Sequence, residues 1–147
     1  NLQYWRNLPY LGFGAGAHGY ADGIRYSNVL RIQTYIDRLS KVEAKTNFPL
    51  SPAAVSKHVV EREEAMQEHM MMGLRLTHEG VDRQLFKERF GVDLRDFFSK
   101  EIDELMNYGL LEWVEKETSD VSKTSEVLRL TKKARLLGNQ VFSRFVG

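Results

Sequence analysis

The sequence predicts an α+β fold, mostly α, that ends in a winged-helix-like domain with one β-hairpin. Three observations predict it. Apolar residues recur at three- and four-residue spacing in segments opened by Asp or Thr and closed by Gly, the pattern of capped amphipathic helices. Two short apolar segments, 110–116 and 126–130, flank a polar stretch, 117–125, as in a hairpin with a long tip. Five of the 11 glycines fall within the first 29 residues, so the start of the chain is built differently from the rest.

Leu11-Gly12-Phe13-Gly14-Ala15-Gly16-Ala17 is apolar but almost without side-chain bulk. Glycine weakens a strand unless another backbone or a ligand comes close, so this run reads as a strand and turn belonging to a larger sheet. A helix is expected over 29–42, where Ile32, Tyr35, Ile36, Leu39 and Val42 form one stripe. Residues 43–53, punctuated by Pro49 and Pro52, read as a loop. A long helix follows, from Val60 to Leu76. Its Met66, Met70 and Leu74 face inward, and Glu61, Glu63 and Glu64 sit near the positive end of its dipole. Asp82 is an N-cap for a helix through Phe90 with Leu85 and Phe86 inward, closed by Gly91. Asp93 caps a third helix, 94–108, with a stripe of Leu94, Phe98, Ile102, Leu105 and Met106 that ends at Gly109. After the hairpin, Thr131 caps a last helix aligning Leu137, Val141 and Phe145. Helix, helix, helix, hairpin, helix is the winged-helix order. Three regions follow: 1–29, the glycine-rich strand and turn; 30–58, a connecting helix and loop; and 59–147, the winged domain.

A length of 147 residues with 42% hydrophobic and 28% charged side chains is ordinary for one globular domain with an appendage. No apolar run approaches the ~18 residues of a membrane span, and no signal peptide opens the chain. The start at Asn1, without methionine, suggests a piece of a longer protein, and a cytoplasmic location is the default. The absence of cysteine excludes disulfides, thiolate nucleophiles and cysteine-held iron or zinc within this chain. Net charge is +1, yet residues 1–58 carry 7 basic and 3 acidic side chains, 59–126 carry 9 and 17, and 127–147 carry 5 and none. An acidic block thus lies between basic ends, which bears on partners rather than fold.

A winged helix can bind DNA through its third helix. Here that helix offers Arg95 and Lys100 against Asp96, Glu101, Asp103 and Glu104. Duplex binding needs cationic neutralisation of phosphates, so a nucleic-acid-binding module is the weaker alternative, and the domain reads as a packing module. Lys132, Lys133, Arg135 and Arg144 could meet an acidic partner or form a solvated face. None of His18, His58, His69 and His78 lies at zinc-ligand spacing. His69 shares a helix with Met66 and Met70–Met72, a pair of ligand types that can hold haem iron but that more often fills a core. His18 follows the glycine run directly and is a candidate site residue. Tyr4 and Trp5 are adjacent large aromatics, suited to a porphyrin plane or to a core. Gly14-Ala15-Gly16 is no dinucleotide fingerprint.

The segment Tyr10-Leu11-Gly12-Phe13-Gly14-Ala15-Gly16-Ala17-His18-Gly19-Tyr20 resembles the glycine-rich segment late in the catalytic barrel of the HemN/HemW-type radical S-adenosylmethionine family, which comprises oxygen-independent coproporphyrinogen III oxidases and their haem-chaperone relatives. Glu63 to Leu76, ending Gly73-Leu74-Arg75-Leu76, is similar to a helix of that family, and Gly80-Val81-Asp82, Arg89-Phe90-Gly91, Gly109-Leu110-Leu111-Glu112 and Arg129-Leu130-Thr131 follow in the family's order. Asn1-x-x-Tyr4-Trp5 is similar to the His-Asn-x-x-Tyr-Trp motif of the HemW branch, whose histidine would precede Asn1. The resemblance implies that residues 1–29 are the end of a radical-S-adenosylmethionine barrel and that the winged domain covers it. It implies a role in haem or porphyrin metabolism as a HemW-type chaperone, with a true coproporphyrinogen III dehydrogenase as the alternative. Asn1, Tyr4, Trp5 and His18 become candidate haem-binding residues, and Gly14 and Gly16 candidates for contributing backbone near S-adenosylmethionine. The iron–sulfur cluster and S-adenosylmethionine belong to the intact family proteins; this cysteine-free chain is expected to hold neither and to be inactive alone. Expected partners are haem or porphyrin, the N-terminal barrel and a haem-acceptor protein.

Overall fold

The computed structural model describes residues 2–41, 46–117 and 124–146. In chain order the elements are α1 (Leu2–Trp5), β1 (His18–Ala21), β2 (Ile24–Asn28), α2 (Ile32–Leu39), β3 (Ala54–Val59), α3 (Arg62–Gly73), β4 (Val81–Asp82), α4 (Arg83–Phe90), α5 (Leu94–Phe97), α6 (Ser99–Asn107), β5 (Leu111–Glu117), β6 (Thr124–Leu130), a 3₁₀ turn (Lys133–Leu137) and α7 (Gly138–Phe142). The chain divides into two units. Residues 8–61 form one; residues 1–7 together with 62–147 form the other. The fold is α+β, as the sequence predicts.

In the 8–61 unit, β1 and β2 make a tight hairpin with Ala21 opposite Ile24. Its two turn residues, Asp22 and Gly23, have φ of 51° and 68°. Two positive φ values in succession define the type I′ turn, which Asp-Gly adopts readily. β3 pairs with the far side of β2, giving an antiparallel sheet of order β1-β2-β3. The strand expected over 11–17 is instead a loop beside this sheet, tethered through an isolated bridge between Tyr10 and Tyr20. Side chains replace the missing ladder. The Asn28 amide donates to the carbonyls of Gly12 and Gly14 at 3.1 and 3.0 Å. The N–H groups of Gly12 and Gly14 donate to the hydroxyls of Tyr26 and Tyr35 at 3.1 and 3.0 Å. A Cβ on Gly12 would stand 2.2 Å from the His18 carbonyl oxygen, so glycine there permits close approach by the chain's own backbone. α2 is shorter than expected. It buries no residue, and its Ile32 is 71% exposed. Val42 lies outside the described residues.

In the other unit, Met66, Met70 and Leu74 are buried as their spacing predicts, packed against Phe86, Leu94 and Phe98. The long helix begins at Arg62 rather than Val60, because Val59 ends β3. The Asp82 side chain accepts from the N–H groups of Gln84 and Leu85 at 2.9 and 3.0 Å, and Gly91 closes α4 with φ of 71°. Asp93 caps α5, accepting from Arg95 N–H. The single third helix of the sequence reading is broken at Phe98, whose ring is buried against Phe86 and Phe145. β5 and β6 pair in register from Leu111–Leu130 to Glu117–Thr124; β4 lies on the other side of β6, completing the winged-helix sheet β4-β6-β5. The hairpin tip, 118–123, lies outside the described residues. Leu85, expected inward, is exposed, and the last helix opens as a 3₁₀ turn after Thr131.

Because the Asp82 carboxylate satisfies two otherwise unpaired N–H groups, Asp82→Ala is expected to cost about 1 kcal/mol in urea unfolding, and Asp82→Asn much less.

Candidate functional site

Tyr4 and Trp5 lie on α1, a single turn held to the winged unit at three points. Arg6 forks onto Glu79, with Nε–Oε2 at 3.0 Å and Nη2–Oε1 at 2.9 Å. The pairing raises the Arg6 pKa and lowers that of Glu79 through its hydrogen bond. Arg89 Nη2 donates to the Asn7 carbonyl at 2.9 Å. The Arg75 guanidinium lies over the Trp5 ring, 5.6 Å from its centroid. So anchored, Tyr4 stays 50% and Trp5 37% exposed. Two large rings are displayed at the surface instead of entering the core. Asn1 lies outside the described residues.

His69, whose helix the sequence reads as core filling more readily than as a haem site, is engaged inside the winged unit. Its ring packs on Phe86 and Phe90 with centroids at 5.7 and 5.6 Å. Arg89 Nη1 lies 3.2 Å from His69 Nδ1. Arginine only donates, so Nδ1 accepts and the ring proton sits on Nε2. Burial first, and the Arg89 charge second, push the His69 pKa down to about 4.

His18 opens β1 in the other unit, with its side chain exposed. Gly14 and Gly16 lie in the tethered loop with φ of 106° and 72°. A Cβ at Gly14 would meet nothing within 4 Å, so its outer side is open. The candidates therefore divide between units: Tyr4 and Trp5 in one, Gly14, Gly16 and His18 in the other. No group of three or more His, Asp or Glu able to hold a metal occurs among the described residues, and the sequence contains no cysteine.

Two cations of the winged face, Arg83 and Arg95, are paired. Arg83 Nη2 meets Asp93 Oδ2 at 2.9 Å and Arg83 Nη1 contacts Glu126, while Arg95 reaches Glu126 at 3.0 Å and lies 4.2 Å from the Trp113 centroid. Arg83 holds the Asp93 carboxyl below the usual range. Sequence reading missed Arg75 and Arg89 as neighbours of α1. For both a signal existed, since they sit in the family-like Gly73-Leu74-Arg75-Leu76 and Arg89-Phe90-Gly91 motifs.

Residues 60–116 match the model of the HemN C-terminal domain. The chain is 37% identical to "Heme chaperone HemW" of Bacillus subtilis (strain 168) over 147 residues, all of this chain and 34% of that protein. It is 30% identical to "Heme chaperone HemW" of Lactococcus lactis subsp. lactis (strain IL1403) over 146 residues, 99% of this chain and 33% of that protein. The coproporphyrinogen III oxidase (HemN) from Escherichia coli, described as a radical SAM enzyme, superposes with a TM-score of 0.59 at 16% identity, covering 94% of this chain and 28% of that one; this likeness is one of fold. The fold and its sequence relatives thus define a HemN-type C-terminal domain. The chain belongs to the HemN/HemW family and spans about a third of the length of the relatives it matches. No helix among the described residues is long and apolar enough to cross a membrane.

Proposed function

We propose that this chain is the C-terminal part of a HemW-type haem chaperone, and that Tyr4 and Trp5 form its haem- or porphyrin-contacting surface. The observation that carries this reading is the display of both rings on a short helix fixed to the winged unit by the Arg6–Glu79 fork and by Arg89. Exposed aromatics cost hydration free energy unless a ligand or partner covers them, and a flat macrocycle suits them. The alignment of this whole chain with about a third of proteins named for haem chaperoning supports the same assignment. Asn1 is proposed as a haem contact by its place in the motif alone. His18, in the other unit, is a separate candidate for an iron ligand.

Gly14 and Gly16 are proposed to lend backbone near S-adenosylmethionine when a barrel is present, a role that the open side of Gly14 permits. Residues 1–29 would then be the end of that barrel and residues 59–147 its cover. Phe13 and Leu30, each 82% exposed, are the side chains the rest of the barrel would bury.

Haem titration of the chain followed by absorbance tests the surface. Tyr4→Ala and Trp5→Ala should each weaken binding about tenfold, in line with the ~1–3 kcal/mol that ring stacking contributes elsewhere. His18→Ala should alter the Soret band if His18 ligates iron. Unchanged affinity and spectra in all three variants would remove these residues from the site.

A further inference from the structure

We propose that Arg75 receives a carboxylate of the ligand that stacks on Trp5, which makes that surface selective for an aromatic macrocycle bearing acidic side chains. This rests on the reading of Tyr4 and Trp5 as a ligand platform and adds the chemistry that selects the ligand.

Arg75 follows α3 at the surface. Its guanidinium carbon lies 4.6 Å from the centroid of Phe142 and 5.6 Å from that of Trp5. Aromatic rings hold a guanidinium without supplying a hydrogen-bond acceptor, and one that stacks flat keeps its in-plane N–H donors available. Those donors meet no acceptor among the described residues. The contrast within the unit is sharp: Arg6, Arg83, Arg95, Arg129 and Arg144 each pair with a carboxylate. Arg62 and Arg89 instead donate to the carbonyls of Phe90 and Asn7. Arg75 thus keeps a planar donor fork whose orientation two rings restrict.

Glu79 pairs with Arg6, whereas Arg75 has no ion pair among the described residues. Arg75 lies over one face of Trp5, so a flat ligand stacked on the other face would reach the fork through a flexible carboxylate arm at its edge. A carboxylate there accepts two parallel N–H bonds, the strongest neutral-pH match for guanidinium. Phe142, 7% exposed, anchors the arginine from the core side, so the fork is organised before the ligand arrives.

The test compares protoporphyrin IX, a diacid, with its dimethyl ester, each titrated in one detergent-containing buffer against wild type, Arg75→Gln, Arg75→Lys and Trp5→Ala. Wild type should prefer the diacid. Arg75→Gln should weaken the diacid about tenfold and the ester less than twofold, with Arg75→Lys between, while Trp5→Ala weakens both ligands. Equal losses of diacid and ester in Arg75→Gln would mean that Arg75 only seats Trp5, which overturns the proposal; so would unchanged diacid binding. Should Trp5→Ala leave both ligands unaffected, or wild type bind neither, the platform reading itself falls. Thermal midpoints of the Arg75 variants within a few degrees of wild type establish that affinity rather than folding is being read.

Discussion

Replacing Phe86 with Ala should lower the stability of the winged unit by about 3–5 kcal/mol, seen as a lower urea midpoint with little change in slope. Phe86 is fully buried. Its ring is 4.7 Å from Phe90, 5.7 Å from His69 and 6.3 Å from Phe98, all in tilted or edge-on contact. These neighbours come from α3, from α4 itself and from the break between α5 and α6, so they cannot collapse together into the hole that alanine leaves. Against a total stability of ~5–15 kcal/mol for a domain, the loss is large. Leu85 supplies the control one residue away. It is 60% exposed, and Leu85→Ala should shift stability by less than about 0.5 kcal/mol. Similar midpoints for the two variants would mean that Phe86 does not organise this core.

The contrast between Leu85 and Phe86 also shows where sequence periodicity stops. Apolar spacing put both inward, yet on an eight-residue helix two adjacent positions point about 100° apart and only one can face the core. Caps were legible because their chemistry is local. Asp82, Gly91, Asp93 and Gly109 each act on N–H or carbonyl groups within a few residues, and each stands where the sequence places it. The β1-β2-β3 sheet was not legible. Its third strand, Ala54–Val59, is exposed at nearly every position and pairs with residues 30 or so earlier, so it lacks the alternating burial that marks a strand. The Asp22-Gly23 pair was the usable local signal for its hairpin. The glycine run misled in another way. Small residues predict close approach, but they do not say whose backbone approaches, and at Gly12 it is the chain's own His18 carbonyl.

The site divides along the same line between local and distant. The Tyr4-Trp5 pair is visible as two neighbouring letters. What fixes it is not, because Arg75, Glu79 and Arg89 lie some 70 to 80 residues away and only folding brings them to α1. His69 shows the converse. Its place among methionines allows a haem ligand but favours core filling, and Phe86, Phe90 and Arg89 converge on the ring as a structural, uncharged group.

That conversion has a pH signature. With a folded pKa of about 4 against an ordinary 6.5, the unfolded chain binds a proton at His69 that the folded one refuses between those values. Stability therefore increases with pH across this window. The His69 contribution is fully present above pH 6.5 and is lost as pH falls toward 4. The shift corresponds to about 3 kcal/mol. Protonation would place a second positive charge beside Arg89 and force Nδ1 from acceptor to donor, leaving two donors face to face. Asp93 and Glu79, whose pKa values are lowered by Arg83 and Arg6, add their own acid loss, but only as their carboxyls take up protons below the ordinary carboxylate range. His69→Gln keeps an acceptor for Arg89 and removes the titration. Urea midpoints measured from pH 7.5 to 4.5 should fall steeply for the wild-type chain and remain flatter for His69→Gln, the two curves converging toward the acid end. Parallel curves would mean that His69 titrates as an ordinary surface histidine and that Phe86 and Phe90 do not shield it.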